Sequence, residues 1–270
     1  MKINEVKTKS ALTRSNLPEA DYVINPYIGC QHACIYCYAD FMKRFTGHSS
    51  EDWGTFVDVK INAPETLIVS GISSNDLILI GSVTDPYQAV EAKYKLTRKC
   101  LEVLLDSQPN IEILTKSPLI LRDLDLLKKF KRLRVGVSIG VLDRGYSKEL
   151  EPFAPSPQER LDTLKTLYEA GIRTYLFISP IFPEISEVYE LIDQSMPFVE
   201  EVLFENLNIR ANNKVRVLSF IRQRRPSLED FYRSLPRNKT YWDSLERDIS
   251  DYCRGKGIKY KIFFHHGTKK

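Results

Sequence analysis

Apolar and polar positions along the chain fall into two alternating patterns. Short β-rich apolar runs occupy Tyr22–Ile28, Leu77–Gly81, Ile111–Thr115, Leu133–Ser138, Arg173–Ile178 and Glu201–Phe204, each of strand length. Between them, apolar residues recur at helical spacing, as at Leu96, Cys100, Val103 and Leu104. The clearest helix is predicted over Pro157–Ala170. Ser156 can cap it, Pro157 suits its first position, Glu159 completes a capping box, and Leu161, Leu164 and Leu167 form the buried stripe before Gly171. Strands joined by helical crossovers predict a parallel sheet. The fold expected is α/β, a partial (β/α)6 TIM-like barrel with a C-terminal helical and strand extension, with an open doubly wound sheet as its competitor. Thr55–Ile61 alternates like a strand and predicts an insertion in the first crossover. Trp242, Leu245, Ile249 and Tyr252 form a late helical stripe, and Ile258–Phe264 reads as a last strand. The division expected is an N-terminal extension over 1–21, a core barrel over 22–207, and an extension over 208–270 that packs on or closes the barrel.

Composition narrows the classes. With 270 residues, 43% hydrophobic and 27% charged, the chain can bury a core and is not disordered throughout. Its formal charge of +4, from 39 basic and 35 acidic residues, is too small for phosphate binding spread over the whole surface. Met1 to Leu17 lacks a continuous apolar stretch of the export-signal kind, and no apolar run approaches the roughly 18 residues that cross a bilayer. A cytoplasmic protein with no membrane partner is expected. In a reducing compartment its five cysteines are expected to be thiols rather than a disulfide framework.

The densest chemistry is Cys30-Gln-His-Ala-Cys34-Ile-Tyr-Cys37, three thiols within eight residues directly after the first predicted strand. Thiolates this close suit a soft metal or an iron–sulfur cluster. Three cysteines ligate three irons of a [4Fe–4S] cubane and leave the fourth open to a small molecule. Zinc is the alternative, held by Cys34 and Cys37 with Cys30 or His32, or with His265 and His266. Three unmetallated core thiols are the other. Cys100 and Cys253 lie on apolar stripes and read as core. Arg222-Gln-Arg-Arg225 is either a phosphate contact or a solvated face.

The spacing C-x3-C-x-aromatic-C, with Tyr36 as the aromatic residue, resembles the radical S-adenosylmethionine (SAM) enzymes. Further stretches narrow the resemblance to the spore photoproduct lyase and DNA-repair-photolyase-like branch. These are Asn25-Pro-Tyr-Ile-Gly-Cys30, Gly81-Ser-Val-Thr-Asp85-Pro-Tyr-Gln88, Thr115-Lys-Ser117, Val137-Ser-Ile139, Glu151-Pro152 with Ser156-Pro-Gln-Glu-Arg160, and Ser179-Pro-Ile181, in that order. The resemblance spans about Tyr22 to Glu184 and fades beyond Asn208. No G-x-G-x-x-G turn follows a predicted strand, which disfavours an ordinary SAM methyltransferase.

The resemblance implies a [4Fe–4S] cluster on Cys30, Cys34 and Cys37, with SAM on the open iron. An electron from an external reductant of flavodoxin or ferredoxin type then breaks the sulfonium bond, and a 5′-deoxyadenosyl radical takes hydrogen from substrate. It implies that Ser82 and Thr84 orient the methionine amino group, that Lys116 and Arg160 meet its carboxylate, and that Ser138 suits the ribose. Each also has a plainer reading as a turn, cap or solvated residue, and Glu151 as a partner of Arg160 without ligand contact. Asp85 is an alternative helix cap. Tyr36 packs over the cofactors, and Tyr38 is the candidate catalytic residue, associated in those lyases with returning hydrogen. One departure stands out: those lyases carry a hydrogen-donor cysteine where this chain has Ser82 or Val83, so reversal of a thymine spore lesion by that route is not expected. The substrate expected is related to nucleic acid. The competing functions are a non-catalytic iron–sulfur protein that binds nucleic acid or carries electrons, and a radical SAM enzyme acting on a peptide, although no further cysteine motif signals the latter's auxiliary clusters.

Overall fold

A computed structural model describes residues 1–264 apart from 18, 69, 70 and 74; His265 and His266 lie outside the described residues. In chain order the strands are β1 (Lys2–Val6), β2 (Leu12–Arg14), β3 (Tyr22–Ile24), β4 (Tyr27–Ile28), β5 (Phe56–Lys60), β6 (Leu77–Ile80), β7 (Asn110–Thr115), β8 (Leu133–Ser138), β9 (Arg173–Ile181), β10 (Glu201–Asn206) and β11 (Lys259–Phe263). The helices are α1 (Glu91–Tyr94), α2 (Leu96–Leu104), α3 (Leu124–Leu127), α4 (Arg144–Leu150), α5 (Pro157–Glu169), α6 (Val188–Ser195), α7 (Lys214–Arg224), α8 (Glu229–Ser234) and α9 (Lys239–Lys256).

The main sheet has the order β11-β10-β9-β8-β7-β6-β3-β2. Every neighbouring pair in it is parallel except β2 with β3. The six strands expected from the sequence are therefore adjacent and parallel, and the order runs from one edge to the other, as in a partial (β/α)6 barrel. The strands are rich in Ile, Leu and Val because crossover segments cover one face while the barrel interior fills the other. Ile78, Ile80, Ile113, Val135, Leu176, Ile178, Val202 and Phe204 are all buried, and Leu164, Leu167 and Ile249 pack onto the same core from α5 and α9.

Helix α5 forms for the reasons legible in its sequence. The Ser156 side chain accepts from the Glu159 N–H while the Glu159 carboxylate accepts from the Ser156 N–H, so two otherwise unpaired donors are satisfied reciprocally. The first strand differs from expectation: Tyr22–Ile28 is broken at Asn25-Pro26. Pro26 has no N–H to give a ladder, and the Asn25 amide turns aside to donate to the Ser82 hydroxyl at 2.9 Å. The chain then leaves the main sheet, and β4 pairs with β5 in a small sheet of order β1-β5-β4. The segment expected as an insertion thus unites the chain's first strand with the stretch that leads into the cysteines.

At the amino ends of the strands a polar layer spans four of them. Arg134 on β8 donates to Glu112 on β7 at 2.6 Å and to Glu201 on β10 at 3.0 Å, and the Tyr175 hydroxyl on β9 donates to Glu112 at 2.7 Å. The Tyr175 ring lies where a side chain on β8 would stand: a Cβ at Gly136 would sit 2.1 Å from that ring. The opposite, carboxyl ends carry the candidate site, as barrels of this kind arrange it.

Candidate active site

The cysteine loop runs from Gly29 to the 3-10 turn Tyr38–Phe45, and the barrel grips its first half. Gly29 has φ +86°, and a Cβ there would lie 2.5 Å from the Phe56 carbonyl oxygen, so only glycine fits. Its carbonyl accepts from the Thr84 hydroxyl at 2.6 Å and from the Gln88 amide at 3.2 Å. Gln88 in turn accepts from the Gln31 N–H at 2.8 Å. His32 is buried between the Asp85 carboxylate at 3.0 Å and the Phe153 carbonyl at 3.4 Å. Asp85 also accepts from the Thr115 hydroxyl, the Lys116 N–H and the Tyr87 N–H, so it caps the turn after Pro86 and ties β6 to β7. Burial pushes its carboxyl up, but the His32 ring and these donors outweigh burial and hold it at about 2.

Cys30 and Cys34 are buried, Cys37 is half-buried, and all three are free thiols. Burial pushes the Cys30 thiol up to about 12 and the Cys37 thiol up to about 11, and the Cys37 sulfur adds to the upward shifts of Cys30 and Cys34. The backbone amides of Ala39 and Asp40 and the positive charge of Lys116 act on the Cys37 thiol in the opposite direction.

Beside the thiols stands a buried charge network built from four elements. Glu151, at the end of α4, accepts a short hydrogen bond from the Tyr36 hydroxyl and another from the Arg160 guanidinium, with the Lys116 ammonium at 3.7 Å. Burial raises the Glu151 carboxyl, and Arg160, Lys116 and the Tyr36 hydroxyl more than reverse this, to about 2. Lys116, following β7, donates to the Ser138 hydroxyl at the end of β8 at 2.8 Å, and that hydroxyl donates to the Ser179 carbonyl on β9 at 3.3 Å. The Ser179 hydroxyl donates to Glu205 on β10 at 2.6 Å. On the far side of the mouth the exposed Tyr38 donates to the Ser82 carbonyl.

The positions singled out in the sequence therefore meet at one end of the barrel, in different states. Lys116, Ser138, Tyr36 and Tyr38 border the thiols with polar atoms directed across the strand ends. Arg160 is 1% exposed and spends its guanidinium on Glu151, the Ser138 carbonyl and the Pro155 carbonyl. Thr84 is likewise committed to Gly29, and Ser82 to Asn25 and Tyr38. Val83 packs beside Cys30, Ala39, Trp53 and Phe56. Cys100 and Cys253 are wholly buried in the main core. Arg222 and Arg224 are ion-paired with Glu229 and Glu149 at 2.7 and 3.1 Å, as a solvated face would be. Sequence reading missed Gln88, Ser179, Glu205, Asn213 and Arg216. The first two lie inside quoted motifs, whereas the other three stand among residues with no distinguishing local pattern.

The donor set fits a thiolate-bound cluster. Among the described residues no three His, Cys, Asp or Glu side chains converge on the position of one ion. His32, the zinc alternative to Cys30 beside Cys34 and Cys37, lies against Asp85 and the Phe153 carbonyl instead, and His265 and His266 lie outside the described residues. Three thiols with Lys116 and Arg160 within electrostatic reach, beside the carboxylates Glu151, Asp85 and Asp40, offer the soft anionic donors that a thiolate-bound cluster takes.

Comparisons with known proteins point the same way. The family model described as the radical SAM superfamily matches residues 24–194. A protein of Methanocaldococcus jannaschii, described only as uncharacterized, is 39% identical over 249 residues, covering 92% of this chain and 93% of its own. A radical SAM Nalpha-GlyT isomerase of Pseudomonas phage M6 is 26% identical over 197 residues, covering 71% of this chain and 38% of that protein. A solved spore photoproduct lyase complexed with a dinucleoside spore photoproduct superposes with a TM-score of 0.70 at 17% identity, covering 97% of this chain and 82% of that one. At that identity the likeness is one of fold.

Proposed function

The chain belongs to the radical SAM superfamily, and on that premise we propose that Cys30, Cys34 and Cys37 hold a [4Fe–4S] cluster whose open iron takes SAM, and that the substrate is related to nucleic acid. When bound, this pair supplies reductive cleavage of SAM, with an external one-electron reductant, and radical removal of hydrogen from substrate. The observation that carries the reading is the convergence of three free, desolvated thiols with Lys116 and Ser138 at the carboxyl ends of the parallel strands.

The roles of the chain's own groups follow from their surroundings. Lys116 presents the ammonium best able to reach an anionic group at the mouth, because its neighbour Arg160 is already bound to Glu151. Arg160 and Glu151 are positioning residues: they fix Tyr36 and, through the Ser138 carbonyl, the end of β8. Ser138 offers a hydroxyl to a ribose once Lys116 turns to a carboxylate. Tyr38 is exposed, its hydroxyl donates to the Ser82 carbonyl just after β6, and we assign it the hydrogen-donating step. The dinucleoside spore photoproduct bound by the lyase-like neighbours supports a nucleic-acid-related substrate. The lack of a thiol at Ser82 or Val83 argues for a product other than the one that a cysteine hydrogen donor yields.

Anaerobic reconstitution is expected to load about four irons and four sulfides per chain, as one [4Fe–4S] centre requires. With dithionite the loaded protein is expected to release 5′-deoxyadenosine from SAM, and Cys34→Ala to abolish that release. Undiminished release from Cys34→Ala would refute the reading. Cluster reduction with no SAM cleavage would favour the electron-transfer alternative.

A further inference from the structure

The two halves of the cysteine loop are held by different parts of the molecule. Thr84, Asp85 and Gln88 fasten Gly29, Gln31 and His32 from the barrel. The second half is fastened by α7, which lies beyond the residues matched by the family model. Arg216 donates from Nε to the Ile35 carbonyl at 3.0 Å and from Nη2 to the Asp40 carboxylate at 2.7 Å. Asn213, wholly buried, donates to the Tyr36 carbonyl at 2.8 Å and the Asn208 carbonyl at 3.0 Å, and its own oxygen accepts from the Arg210 N–H at 2.8 Å. Residues 35 and 36 precede Cys37 and residue 40 follows it, so these bonds bracket the last cysteine on both sides.

We infer that Arg216 and Asn213 are positioning residues for the cluster: from the C-terminal extension they fix the Cys34–Cys37 half-loop, setting how firmly the cluster is held, and the Arg216 charge bears on its reduction potential. The chemical reason is that outer partners orient metal ligands, and positive charge near a cluster favours its more electron-rich state. A guanidinium suits the role because its planar fork reaches a carbonyl and a carboxylate at once, whereas an ammonium presents a single point of charge. Asp40 is 5% exposed and has Lys43 at 3.3 Å as its other cation, so loss of Arg216 leaves the carboxylate under-compensated and free to rotate.

This inference rests on the cluster reading above, and the test separates the two. Wild type, Arg216→Ala, Arg216→Lys, Asn213→Ala and, as a control on the same helix, Arg222→Ala are reconstituted, and iron release to an excess of chelator is followed alongside the cluster's midpoint potential and the melting of each apoprotein. Arg216→Ala and Asn213→Ala are expected to lose iron about tenfold faster, the lower end of what outer partners contribute to metal sites. The potential of Arg216→Ala should move to a more negative value, and both apoproteins should melt close to wild type. Arg222→Ala should match wild type, and Arg216→Lys should fall between. Wild-type iron loss and potential in both alanine variants would overturn the inference. If Arg216→Ala melts far below wild type, Arg216→Lys decides: intermediate iron loss supports the inference and wild-type behaviour overturns it. Failure of wild type itself to load a cluster would instead overturn the proposed function.

Discussion

Glu151 shows how much one buried side chain can organise. Its two oxygens receive Tyr36, Arg160 and, more distantly, Lys116, and it is 5% exposed beside an Arg160 that is 1% exposed. Removing one partner of such a pair leaves the other charge buried without compensation. Glu151→Ala is therefore expected to destabilise the apoprotein by about 3–5 kcal/mol in urea denaturation, whereas an exposed pair such as Lys239–Asp243 should contribute under about 1 kcal/mol. Two glycines make a second contrast. A methyl group at Gly136 meets the Tyr175 ring, so Gly136→Ala should cost about 1–3 kcal/mol or more through overpacking. Gly255, within α9 and with no atom within 4 Å of a built Cβ, should gain about 0.5–1 kcal/mol from the same change. Equal effects at the two positions would contradict this packing.

Among the elements, the small β1-β5-β4 sheet is where an ionisable residue couples structure to pH. His48 follows the turn after Cys37, stacks on Phe56 of β5 at 3.8 Å, and bonds Asp58 at 2.8 Å and Glu51 at 3.0 Å. Burial by itself lowers the imidazole's pKa, and the two carboxylates reverse this and hold it above the ordinary value. A group whose folded pKa is raised stabilises most fully below its unfolded value, near 6.5, and the contribution is lost as pH rises through the folded pKa. The melting temperature of wild type relative to His48→Gln should accordingly be higher by more at about pH 5.5 than at about pH 9. An unchanged difference would mean that the imidazole does not titrate with folding.

At the level of the whole molecule, the last residues complete the sheet. Strand β11 pairs with β10 in parallel over Lys259–Phe263, and Ile249 and Cys253 of α9 are buried against the main core. A chain ending at Asn238 would expose the edge of β10 and that apolar surface, and is expected to elute as aggregates in size-exclusion chromatography rather than as a folded shorter protein.

What the amino-acid sequence determined by itself is whatever short-range geometry governs. The cysteine spacing, the capping box of α5 and the six parallel strands were legible because each depends on neighbours a few residues apart or on a period of burial. The break at Asn25-Pro26 was written in proline's missing N–H, yet its consequence depended on a partner strand, β5, that only the fold supplies. The tertiary structure alone decided which polar groups remain available at the strand ends. Arg160, conspicuous in its motif, is consumed by Glu151, whereas Arg216, in an unremarkable helix, reaches Ile35 across 181 positions. Hydrogen bonds act between atoms within about 3 Å in space, so partners so far apart in sequence are chosen by how helices and strands pack, and no local pattern records that choice.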